Sequence, residues 1–219
     1  MKSKSNSNGL LLGATCRAPL QLGLVTAVLA VLMGCAPTQL SPHVARTMVD
    51  LRQDLVLGKT KIDSTTATLT DLMKNPRLNT ERQVGFYQKE MSDLEQVAQR
   101  VRDTHTQMQA NSNEYFKKWE GELGQIQSKE IAAAGAQRRE ASLKAVQTVR
   151  VKLDVAKDAL SPFMSNLRDI SRYFSQDQTA EAVVAIKSVI QKTLNQKQTA
   201  VKKVDEVIAE IDRITKSVQ

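Results

Sequence analysis

The chain has 219 residues, a formal net charge of +8, 4 % aromatic residues, nine glycines and five prolines. With Ala, Gln, Lys, Leu and Val dominant, that balance speaks for long helices and against a β-sandwich. Two cysteines and two histidines leave little material for a disulfide framework or a zinc site.

The first organised stretch is an apolar run over residues 22–33 that ends in Leu32-Met33-Gly34-Cys35. Lys2, Lys4 and Arg17 precede it, and no acidic residue occurs before Asp50. A basic beginning, a short apolar segment and a small residue before a cut are the parts of a secretory signal. The run is shorter than the roughly 20 apolar residues that span a bilayer. Leu32 and Gly34 before Cys35 match a bacterial lipobox. The expectation is cleavage between Gly34 and Cys35, lipidation (palmitate or a similar acyl chain) of the Cys35 thiol, and attachment to a membrane. An uncleaved anchor helix starting near Leu10 is the competing reading.

The domain plan that follows is a signal peptide over 1–34, a lipidated tether over 35–42 and a helical part over 43–219. Cleavage would remove three basic and no acidic residues, lowering the charge to +5. That is modest, and no nucleic-acid partner is expected. Cys16 would leave with the signal and Cys35 would become a thioether, so an exported chain would be held by its core and not by a disulfide. In a host with two membranes, Ala36 after Cys35 fits sorting to the outer membrane, facing the periplasm.

Pro37 and Pro42 keep the tether out of a helix. From Val44 the apolar positions advance in alternating fours and threes: Met48, Leu51, Leu55, Gly58, Ile62, Thr65, Leu69, Leu72. This is a heptad seam, imperfect at Gly58 and Thr65, and it predicts a helix over about 43–74 that stops at Asn75-Pro76. Asn79 or Thr80 can cap the next helix.

The second segment, about 80–127, repeats the rhythm at Val84, Tyr87, Met91, Leu94, Ala98, Val101, His105, Met108, Ser112, Tyr115, Trp119, Leu123 and Ile126. The third, about 130–174, runs through Ser142, Val146, Val149, Leu153, Ala156, Leu160, Phe163, Leu167, Ile170 and Phe174, with Pro162 inside it. Because the seam stays in step across Pro162, a kink is expected there and not an end. Residues 175–179 make a polar turn capped by Asp177 or Thr179. The last segment, about 179–218, places Val183, Lys187, Ile190, Leu194, Lys197, Val201, Val204, Ile208, Ile211, Thr215 and Val218 on its seam. The polar members Lys187, Lys197 and Thr215 would set register or face water. Four such segments joined by short connections predict an all-α fold without a sheet, an elongated antiparallel coiled coil or four-helix bundle. The seams could close within one chain or between two copies, so a homo-oligomer is open.

No constellation for catalysis stands out. His43 and His105 lack a Glu or His three or four residues away, so the Glu-x-x-His pairs of a di-iron bundle are missing. There is no glycine-rich phosphate loop and no Gly-x-Ser-x-Gly setting. No catalytic residue, cofactor or metal is expected, and His105 reads as a packed seam residue. The densest aromatic patch is Tyr115-Phe116-Trp119. It reads either as core near a helix end or as a candidate partner-binding anchor. The basic pairs Lys117-Lys118, Arg138-Arg139 and Lys202-Lys203 read as solvated faces or as contacts for anionic lipid or polymer.

These residues also carry a resemblance. Tyr115-Phe116-Lys117-Lys118-Trp119-Glu120-Gly121-Glu122-Leu123, Arg138-Arg139-Glu140-Ala141-Ser142-Leu143, Leu160-Ser161-Pro162-Phe163-Met164, Leu167-Arg168-Asp169 and Ala180-Glu181-Ala182-Val183 look like a family of uncharacterised bacterial helical proteins, often lipoproteins, catalogued as a domain of unknown function. The resemblance covers roughly residues 80–215. Where that family tends to have Lys-His-Asn before the last helix, this chain has Ser175-Gln176-Asp177-Gln178. The resemblance implies a helical coiled-coil fold and an envelope location, and brings no activity or catalytic residue.

Together these readings lead to an expectation of a non-enzymatic, membrane-anchored lipoprotein. Its helical bundle would act as a spacer or docking scaffold for another envelope protein. The alternative is a periplasmic binding module on a lipid anchor, gripping an unfolded client or a polyanion.

Overall fold

A computed structural model of the chain describes residues 40–76 and 79–216. The signal segment, the cleavage point and Cys35 lie outside these residues, as does Val218. Five helices follow one another: α1 (Pro42–Lys74), α2 (Thr80–Leu123), α3 (Lys129–Phe174), the single-turn α4 (Ala180–Ala185) and α5 (Lys187–Lys216). No strand occurs among the described residues. At 1.5 Å per residue, the 46 residues of α3 extend about 70 Å.

Local chemistry explains where the helices begin. Ser41 accepts a hydrogen bond from the Val44 N–H, and Pro42 stands in the first turn, where its missing N–H is not needed. Ser128 accepts from Ile131 N–H at the start of α3, and Thr179 accepts from Ala182 N–H at the start of α4. Asn79 enters α2 in the left-handed region (φ 52°) without a side-chain cap bond, a conformation Asn tolerates better than most residues. α2 stops at Leu123, short of 127, because Gly124 follows and Gln125 and Ile126 donate to the carbonyls of Glu122 and Leu123 in tighter turns. α3 runs unbroken through Pro162. The final segment is not one helix: Ile186 leaves helical geometry (φ −106°, ψ 14°) and separates α4 from α5.

The helices pack as an antiparallel four-helix bundle in which α1 neighbours α2 and α5, and α3 neighbours the same two. The cross-links show the direction. Asp54 of α1 pairs with Arg100 of α2, Lys61 with Glu90 and Asp93, and Arg52 with Asp212 of α5. Lys152 of α3 meets Glu210 of α5, and Asn166 meets Gln196. Thr65, in the α1 seam, is fully buried because its hydroxyl donates to the carbonyls of Lys61 and Glu90; a buried hydroxyl without partners would be costly.

The core falls into two apolar clusters. One holds Val44, Met48, Leu51, Met108, Val149 and Ile211; the other holds Leu69, Tyr87, Phe163, Leu167, Phe174 and Ile190. Each fully buried side chain of this size contributes about 1.5–3 kcal/mol. In α5 the buried face is Ile190, Thr193, Ala200, Val204, Val207, Ile211 and Ile214. Ile190, Val204 and Ile211 are buried as expected. The seam positions Leu194, Val201, Ile208 and Thr215 lie half-buried on the flank, and the residue before each of them, Thr193, Ala200, Val207 and Ile214, takes the core position. A bundle helix buries a wider stripe than a coiled-coil seam, and the centre of that stripe falls on smaller residues here. Lys187 is exposed, and Lys197 reaches Asp63 of α1 at 2.6 Å.

Candidate ligand groove between α2 and α3

Three seams carry a small residue at the same level of the bundle: Gly58 in α1, Ala98 in α2 and Ala156 in α3. Larger side chains lie above and below them, so the layer is underfilled. There the two core clusters part, and a cavity of about 470 Å³ opens between α2 and α3. Leu94, Val97, Ala98 and Val101 form one wall, and Leu153, Ala156, Leu160 and Met164 the other; Leu55, Gly58, Ile62 and Val204 make the floor. This volume and apolar lining fall in the range of small-molecule sites.

The core itself records the opening. Val97, Leu153 and Met164 retain 7–8 % exposure, more than any other buried apolar residue described, while Met48, Leu69 and Phe163 retain none. Gly58 bears on the same point. A Cβ there would meet Val97 Cγ1 at 3.8 Å, an ordinary contact. Packing does not demand glycine, although glycine inside a helix costs about 1 kcal/mol relative to alanine. What alanine would remove is groove floor.

The mouth is polar and mainly basic, with Lys59, Arg102, Lys157 and Arg168 against one acid, Asp154. Lys59 is held by Asp205 of α5, and Arg168 by Glu95 at 2.8 Å. Arg102 is fixed by the neutral Gln99 oxygen at 2.6 and 3.1 Å, and Lys157 forms no ion pair among the described residues. Their charges are therefore not neutralised by a carboxylate in contact. His105 stands half-buried beside them, its Nε2 2.8 Å from Gln109 Nε2. Burial lowers its pKa, Arg150 and Lys157 push the same way, and Asp154 opposes them. The imidazole is therefore mainly neutral at pH 7. Ser161 shares the lining with His105 and Asp154, yet no hydrogen bond joins the three. The groove is an apolar trough with positive charge at its lip.

A second concavity lies on the opposite face, between α1 and α5, lined by Asp63, Thr66, Ala67, Thr70, Asp71, Lys74, Leu194 and Lys197. It is more open to solvent than the groove, and its lining is mostly polar.

The aromatic patch singled out from the sequence lies elsewhere. Phe116 is buried, while Tyr115 and Trp119 are half-buried against the cluster that contains Val44 and Met108. Phe116 and Trp119 stack at 6.4 Å with 13° between planes, and Tyr115 tilts against both. Arg139 of α3 ties this corner, donating to the Phe116 carbonyl at 3.0 Å and to Glu120 at 2.8 Å. Past it, over 117–141, α2 and α3 continue as a hairpin tip without a buried residue. There Gly135 lies so close to Leu123 that a Cβ would come within 2.4 Å of its Cδ2. Ile126 and Ile131 face outward at 36 % and 61 % exposure.

No helix among the described residues is long and apolar enough to cross a membrane, and none of them group three or more His, Cys, Asp or Glu where a metal could sit. The sequence reading noted Gly58 as a seam defect. It missed the groove because Gly58, Ala98 and Ala156 are far apart in the chain and meet at one level only through antiparallel registration.

No curated protein and no solved structure matches this chain. One family does, over residues 48–218, which contain every residue that lines the groove. The chain belongs to the family described as "Protein of unknown function (DUF2959)".

Proposed function

We propose that this protein is a non-enzymatic binding module carried on a lipid anchor, which takes an apolar ligand into the α2–α3 groove. The observation that carries the reading is the opening itself, where an otherwise closed core admits solvent at Val97, Leu153 and Met164. The anchor rests on Leu32-Met33-Gly34-Cys35. Several acyl chains at Cys35, each worth about 0.8 kcal/mol per buried methylene, would hold the bundle stably at a membrane surface. In a host with two membranes that surface is the outer membrane, facing the periplasm.

Two measurements test the reading. Intact mass and membrane partitioning, beside a Cys35→Ala variant, test the anchor: a mature chain starting at Cys35 with acyl mass is expected, and an uncleaved chain without lipid overturns it. An apolar fluorescent probe tests the groove. It should bind the native chain and be excluded when Ala98→Trp fills the layer; binding that is unchanged in the filled variant removes the groove from the argument.

A second reading, a spacer or docking scaffold for another envelope protein, draws on the hairpin tip, where Ile126 and Ile131 are exposed beside the Trp119 corner. Crosslinking from the tip should then capture a partner that is lost on Ile131→Lys.

A further inference from the structure

We propose that the ligand is a single-chain anionic amphiphile, a long-chain fatty carboxylate, whose tail lies along the apolar trough with its carboxylate between Arg102 and Lys157. The inference rests on the groove being the binding site and adds the chemical class that it takes.

Shape argues for one chain. From the head position at Arg102 the trough follows the α2 wall back to Leu94, about 12 Å of helix at 1.5 Å per residue. An extended alkyl chain advances roughly 1.3 Å per carbon, so this span takes up about nine or ten carbons of a tail. The walls in that stretch are mainly aliphatic and carry no Phe, Tyr or Trp, so a flexible alkyl chain is the better fit than a planar ring system. The length of the groove along the bundle, and the ring of small residues at one level, leave room for one tail beside α1 and not for the bulk of a two-chain lipid.

Charge argues for an anionic head. Of the cations at the mouth, Lys59 and Arg168 already have carboxylate partners, whereas Arg102 and Lys157 have none among the described residues. They stand on opposite lips, one on α2 and one on α3, above an apolar floor. Asp154 is the one opposing charge in the lining, and it faces His105 together with Arg150 and Lys157. A cationic head would meet two lip cations, and a neutral head would leave both unused. A carboxylate can accept from the Arg102 guanidinium and the Lys157 ammonium together, in charge-assisted bonds. The same lips would hold other single-chain anions less well as the head grows, because His105, Thr106 and Ser161 crowd the mouth.

The test titrates dodecanoate, dodecanol and dodecylammonium into the full chain carrying Cys35→Ala, which prevents acylation from supplying a competing tail. Displacement of a bound apolar fluorophore gives the readout. Dodecanoate should bind at least about tenfold more tightly than dodecanol, with dodecylammonium weaker still. Arg102→Gln with Lys157→Gln, both exposed positions, should erase the preference by weakening dodecanoate far more than dodecanol, and Asp154→Asn should widen the preference. Ala98→Trp should abolish all three, with thermal unfolding monitored so that a misfolded variant is recognised; the Arg102 and Lys157 variants carry the test independently of it. Equal binding of dodecanoate and dodecanol, or a preference for dodecylammonium, overturns the anionic head and leaves the groove reading standing. Failure of the native chain to bind any of the three overturns both.

Discussion

The Tyr87 hydroxyl of α2 donates to the Leu167 carbonyl of α3 at 2.6 Å, with both side chains fully buried. The bond closes the α2–α3 interface at one end of the groove, as Arg139 on the Phe116 carbonyl closes it at the other. Between these two ties the groove opens, crossed at its surface by the ion pair of Arg168 with Glu95.

Removing the first tie should be measurable. Tyr87→Phe keeps the ring against Phe174, where the two meet edge-on at 6.3 Å, and deletes only the hydroxyl. Stability in urea should fall by about 1 kcal/mol, the net worth of a buried hydrogen bond. Burial also raises the Tyr87 pKa far above its ordinary 10.0. The unfolded chain therefore releases this proton first, and stability should decline as pH rises past 10. That alkaline decline should be shallower in Tyr87→Phe; an identical slope would show that the hydroxyl is not sealed in the core.

The acid limb has a different source. Glu210 on α5 is buried and held by Arg213 at 2.5 Å and by Lys152 of α3 at 2.8 Å. The bond from Arg213, and then that from Lys152, lower its pKa from 4.5 despite burial. A depressed carboxylate stabilises the fold above its unfolded pKa and loses that contribution as pH falls through the folded value. Urea midpoints from pH 6 to pH 3 should therefore fall less steeply in Glu210→Gln, which should also be the less stable chain at pH 7.

Gly58→Ala separates stability from binding. Alanine fits beside Val97 and favours the helix, so the variant should gain about 0.5–1 kcal/mol. It should also bind an apolar probe less tightly, because the new methyl stands on the groove floor. A variant that gains stability and binds equally well would show that the floor is not part of the site.

Trp119 is the one tryptophan in the chain, and it stands where the buried core ends and the hairpin tip begins. Residues 117–141 include no fully buried residue, and segments with few buried contacts open at lower free energy than the whole fold. Its fluorescence should change at lower denaturant than the loss of helical circular dichroism. Coincident transitions would mean that the tip unfolds with the bundle.

Local patterns in the chain determined the helices and most of their buried faces. The alternation of fours and threes placed α1 and α3 on their correct sides, and Pro76 and the 175–179 turn marked the ends, because periodicity and capping act over a few residues. Tertiary packing decided the rest. In α5 Ile190, Val204 and Ile211 kept their seam places while Thr193, Ala200, Val207 and Ile214 replaced the other half of the seam, and the chain broke at Ile186. Each side chain there competes for space against three other helices. Phe116 went into the core while Tyr115 and Trp119 stayed half-exposed, a division that depends on what α3 places opposite. The groove is the clearest case: a glycine that reads only as a seam defect and two ordinary seam alanines become a cavity when antiparallel registration brings them to one level.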